Sequence, residues 1–101
     1  MEFLTILVFL DKEKSYEYKK DILAIGACIQ NILLAACSQG IASCWNGDIL
    51  RNADKVNEIL NISPNCELMS MIVLGYEDLD KTKYIEKVKR DNVDEKIDIW
   101  V

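Results

Sequence analysis

Residues 20–39, KDILAIGACIQNILLAACSQ, decide what kind of fold this chain can adopt. The stretch lacks strand-like alternation, and Gly40 follows it as a suitable C-terminal cap, so it predicts one long helix. Its apolar positions, Ile22, Leu23, Ile25, Ile29, Ile32, Leu33 and Leu34, spread around most of the circumference. No single stripe facing one sheet buries them all, which predicts a central helix with neighbours on several sides. Ala24, Gly26, Ala27, Ala35 and Ala36 leave room for a close backbone approach. Gln30 and Asn31, polar in an apolar helix, read as hydrogen-bonding a neighbouring element more readily than a ligand. The apolar run 22–37 is short for a bilayer span and carries those two residues in its middle, so no membrane segment is expected.

Outward from the helix lie two apolar runs, FLTILVFL at 3–10 and ELMSMIVL at 67–74, each of which reads as a strand buried on both faces. Strand, helix and strand in that order predict a parallel pair joined by a right-handed crossover. Residues 11–20 form a charged, solvated connection, and 41–48 a short extended piece leading into an Asn46-Gly47 turn. Asn52 is expected to cap a short helix over 53–60, which Pro64 and Asn65 end. Residues 77–96 are charge-dense without a periodic apolar face and read as wrapping a surface. The last five, IDIWV at 97–101, suit an edge strand or arm anchored by Trp100. With no repeat or linker the chain reads as one unit over 1–101: a strand-helix-helix-strand body at 1–76 and a charged arm at 77–101.

At 101 residues, 50% hydrophobic and 29% charged, the chain has the balance of a globular protein with a single core. Twelve Lys and Arg against seventeen Asp and Glu give a net charge of -5, the wrong sign for gripping nucleic acid or an anionic membrane. The absence of histidine removes Ser-His-Asp and Cys-His catalysis together. Four cysteines without a C-x-x-C pair suggest reduced thiols in a cytoplasmic protein rather than a metal site or disulfide framework. Two strands of buried type and a helix apolar on most sides exceed what the remaining elements can cover, so an obligate oligomer, a homodimer with the helix in its interface, is expected.

Residues 21–78 carry a more specific pattern. Ile29-Gln30-Asn31-Ile32-Leu33-Leu34-Ala35-Ala36, then Gly40-Ile41, Trp45 with Gly47, Leu60-Asn61-Ile62 with Pro64, and Leu74-Gly75-Tyr76 follow one another in order. This succession resembles the C-terminal half of the nitroreductase family of FMN-dependent oxidoreductases, whose preceding strand is similar to residues 3–10. The resemblance implies a partial α+β nitroreductase-like fold, a central long helix with a small, mainly parallel sheet. It also implies hydride transfer from NAD(P)H to FMN at a dimer interface, and on to a nitroaromatic, quinone or similar acceptor. By motif, Cys44, Trp45, Asn46 and Gly47 correspond to the family turn whose backbone N–H approaches the flavin N5. Lys89 and Arg90 fall where members contact the FMN phosphate, with Lys81, Lys83 and Lys87 as further candidates. Family members are commonly about twice this length, and the Arg-rich half that holds their FMN phosphate has no counterpart in this sequence. Flavin is therefore expected to bind weakly or not at all. The alternative is a non-catalytic dimerisation or interaction module; redox sensing through Cys37 and Cys44 ranks last, since no neighbouring group lowers a thiol pKa.

Overall fold

A computed structural model describes residues 2–78, 80, 89–96 and 98. In order these form β1 (Phe3–Asp11), α1 (Tyr18–Ser38), β2 (Ala42–Asn46), a 3-10 turn (Asp48–Asn52), α2 (Ala53–Leu60) and β3 (Cys66–Gly75). A second 3-10 turn spans Val93–Lys96. The proposed edge strand at 97–101, with Trp100, lies outside the described residues.

β3 is the centre of a three-stranded sheet with β1 and β2 on its two sides, and both pairings are antiparallel. The parallel β1–β3 pair and the mainly parallel sheet read from the sequence are therefore wrong. The short segment after α1 is itself a strand, so the crossover joins β1 to β2 rather than β1 to β3. Those two run parallel to each other with β3 between them, and α2 turns the chain back so that β3 enters in the opposite direction.

Local chemistry explains the boundaries. α1 ends with Gly40 at φ 73, where the Ile41 N–H donates to the Ala36 carbonyl at 2.9 Å and the Gly40 N–H to Cys37 at 3.1 Å. This doubly bonded ending needs a left-handed residue, which glycine supplies without a steric penalty. α2 ends the same way on Asn61 at φ 53, with the Ile62 N–H donating to the Asn57 carbonyl at 2.9 Å. Asn52 makes no side-chain cap bond; the 3-10 turn runs straight into α2 instead. The charged connection after β1 is tied to the entrance of β3. The Lys12 N–H donates to the Asn65 carbonyl at 2.8 Å, the Asn65 amide donates to Glu13 at 2.9 Å, and the Tyr18 hydroxyl donates to Glu67.

Cross-strand register sorts the side chains into two faces, since directly paired residues point the same way. One face carries the rows Leu4–Leu74–Ser43 and Ile6–Ile72–Trp45; the other carries Phe3–Gly75–Ala42, Thr5–Val73–Cys44 and Leu7–Met71–Asn46. Along β3, as far as the bulge opposite Val8 and Phe9, the first face is closed, with Ser70 and Ile72 buried, whereas Met71 and Val73 on the other are only half-buried. Both faces are apolar, as the sequence indicated, but the described chain closes one.

α1 shows the same deficit. Only Ile29 and Ala36 are buried along its 21 residues, and Leu23 and Leu34 are 69% and 59% exposed. By length and composition α1 could cross a membrane. The core helix of a soluble domain passes the same test, and α1 packs beside β1 and β2, the strands on either side of it in sequence.

Candidate flavin groove

At the Phe3 end of the open face lies a groove of about 420 Å³. Antiparallel pairing builds it: Phe3, Gly75 and Ala42 form one row, Val73 and Cys44 the next, and the chain leaving β3 adds Tyr76, Glu77 and Asp78 as a wall. The floor is apolar. A Cβ at Gly75 would meet the Glu2 carbonyl oxygen at 3.4 Å and the Phe3 Cβ at 3.7 Å, ordinary van der Waals contacts.

The four turn residues expected from the sequence do not converge on this groove. Cys44 lines it. Trp45 pairs with Ile72 and belongs to the opposite face, where it is 46% exposed. The Asn46 side chain serves its own turn, accepting the Asp48 N–H at 2.8 Å, while its carbonyl accepts the buried Ser70 hydroxyl at 3.1 Å. Gly47 has φ -94 and open space where a Cβ would stand, so nothing in the described chain requires glycine there. Gln30 and Asn31 are exposed on α1.

Lys89 and Arg90 are exposed residues outside any helix or strand. Lys81, Lys83 and Lys87 lie outside the described residues. No cation lines the groove among the described residues, while Glu77 and Asp78 bring carboxylates to its wall. The apolar floor suits a flat, uncharged ring. Sequence reading missed Phe3, Tyr76, Glu77 and Asp78 as groove residues, because they meet only through the pairing of β1 and β2 with β3. It also passed over Arg51, exposed on the turn that Gly47 opens and the cation closest along the chain to that turn.

Residues 4–76 match the nitroreductase family, and the chain belongs to it. Among solved structures, a protein described as a nitroreductase from Desulfovibrio desulfuricans, in complex with FMN, shares 30% identity at a TM-score of 0.78. That match covers 95% of this chain and 54% of the relative. A protein described as an NADH dehydrogenase/NAD(P)H nitroreductase from Bacteroides thetaiotaomicron is 29% identical at 0.70, over 94% of this chain and 53% of its own. An FMN-dependent nitroreductase from Clostridium difficile is 25% identical at 0.60, over 93% and 52%. The chain thus spans about half the length of the relatives it matches.

Proposed function

We propose that this chain is the flavin-facing part of a nitroreductase-type oxidoreductase that transfers hydride from NAD(P)H to a nitroaromatic, quinone or similar acceptor. The observation that supports this reading is the groove: an apolar floor of Phe3, Ala42, Cys44 and Val73 beside an edge strand, in a chain similar over 95% of its length to a protein solved with FMN. Bound FMN would supply the redox chemistry by taking up hydride and releasing electrons to the acceptor. The chain's own residues shape the ring's seat. Val73 and Cys44 keep water from one side, the Cys44 to Gly47 backbone offers N–H donors along an unpaired strand edge, and Gly47 admits a close approach.

Lys89 and Arg90, which the family resemblance places at the phosphate, are the cations proposed to meet the phosphate end. A charge-assisted hydrogen bond contributes about 1.5–3 kcal/mol. A phosphate lacking two or three of them is bound about two to six powers of ten more weakly. The proposed protein is a cytoplasmic homodimer with α1 in its interface and flavin held weakly. The alternative is a non-catalytic dimerisation or interaction module that has lost flavin binding. Titration with FMN, followed by flavin fluorescence, separates the readings. Micromolar to millimolar affinity is expected, no binding at millimolar FMN leaves the module, and nanomolar affinity contradicts the account of the phosphate. Sedimentation of the same samples tests the dimer, which a folded monomer at micromolar concentration would exclude.

A further inference from the structure

We propose that Ser70 is a positioning residue, whose buried hydroxyl fixes the peptide between Asn46 and Gly47 so that the Gly47 N–H is presented outward as a donor to a bound ring. The hydroxyl donates to the Asn46 carbonyl at 3.1 Å. That peptide is trans, and a planar trans peptide carries its C=O and its N–H in opposite directions. A carbonyl held toward Ser70 therefore turns the Gly47 N–H away from β3. No acceptor meets that N–H among the described residues, whereas the next amide is already used: the Asp48 N–H donates to the Asn46 side chain at 2.8 Å. The Gly47 carbonyl is held as well, accepting the Leu50 N–H at 3.1 Å. Beside Gly47 the space is open, with nothing within 4 Å of where a Cβ would stand.

The place of the serine supports a directing role. At 1% exposure Ser70 is the one buried polar side chain among the described residues, and Ile72 on the same face is 0% exposed. Burying a hydroxyl is unfavourable unless it is bonded, and an apolar side chain would hold this face together without that cost. The hydroxyl's distinct contribution is the direction it gives the Asn46 carbonyl. A β-bulge lies immediately before it: Val8 pairs with Ser70 and Phe9 with Leu68, which leaves Met69 as the extra residue. Bulges re-aim the side chains beside them, and this one adjoins the serine that reaches the end of β2.

The choice of acceptor, a ring nitrogen of FMN, rests on the reading that flavin lies along the Cys44 to Gly47 backbone; the aim of the N–H does not. The experiment separates the two. The residual dipolar coupling of the Gly47 N–H, measured by NMR on the isotope-labelled chain without FMN, reports the direction of that bond. In Ser70→Ala it should fall by about half or more relative to the amides of α2, as the released peptide samples other orientations. Ile72→Val, a methyl deletion buried on the same face, should leave it unchanged. Ser70→Thr, which keeps a hydroxyl, should restore it.

Titration of the same proteins with FMN should then show Ser70→Ala binding about fivefold more weakly than the unaltered chain and Ile72→Val, the worth of one ordinary hydrogen bond. An unchanged Gly47 coupling in folded Ser70→Ala would overturn the inference, as would an equal fall in Ile72→Val. So would FMN affinity untouched by Ser70→Ala once the coupling is lost, since the donor would then be unused. If the unaltered chain binds no FMN, the flavin reading fails by itself, and the coupling still decides whether Ser70 aims the amide.

Discussion

β3 has two sides built from nearly the same chemistry and with different fates. Ser70 and Ile72 are buried, even though one of the two is a serine; Met71 and Val73 are wholly apolar and remain only half-buried. Burial is therefore a property of what lies over a strand and not of the strand's own hydrophobicity. The closed side can accept a polar group because a partner is in place: the Ser70 hydroxyl donates to the Asn46 carbonyl and ties β3 to the end of β2. The open side has the hydrophobicity of an interior with fewer neighbours among the described residues.

The strongest test of that contrast is a pair of truncations. Ile72→Ala removes a side chain with no exposed surface and should cost about 3 kcal/mol, within the range of 2–5 found for large-to-small core changes. Met71→Ala, one residue along and facing the other way, should cost less, about 1–2 kcal/mol, because part of its surface is already in water. Urea midpoints measured on both variants decide this, and equal losses would mean that the two faces do not differ.

A smaller effect is expected at Ser70. Ser70→Ala should cost about 1 kcal/mol through the lost hydrogen bond and the unpaired Asn46 carbonyl left in a closed environment. Hydrogen exchange should quicken at the β2 end of the sheet more than at β1. Uniform quickening would show that the bond does not fasten β2.

The smallest effect belongs to neither face and serves as a control. The Tyr18 phenol is held above its usual value of 10.0, first because its hydroxyl donates to Glu67, then through desolvation and the Glu67 charge. A group whose pKa is raised on folding contributes stability at pH below its unfolded value and loses it as pH climbs through the folded one. Tyr18→Phe should therefore lower the melting temperature slightly at neutral pH, with the difference closing as pH rises above 10. A difference that persists or grows at alkaline pH would contradict the assignment.

The helices and the two long strands were legible because each carries local chemistry: the glycine after α1, Pro64 and Asn65 beyond α2, and apolar runs of strand length; that α2 ends on a left-handed Asn61 was not read from the sequence. Strand direction was not. It turned on residues 42–46, a five-residue segment with no buried side chain, whose pairing on the far side of β3 reverses the topology deduced from strand-helix-strand order. The candidate site divided the same way. The turn at residues 44–47 was recognisable from its motif, whereas Phe3, Val73 and Tyr76 become neighbours of Cys44 only when β1 and β2 flank one central strand. Trp45, the most conspicuous residue of the turn, faces away from the groove because strand side chains alternate.

The sequence by itself determined the elements, the family, and the presence of more apolar surface than 101 residues can enclose, since periodicity, capping and composition are local or additive properties of the chain. Only the tertiary structure decided that both pairings with β3 are antiparallel, which face of the sheet is closed, and where a groove opens beside Cys44. Those outcomes depend on register between segments as far apart as Phe3 and Gly75. Backbone hydrogen bonds form equally well in either strand direction, so the choice falls to the packing of helices over the sheet and not to any one segment.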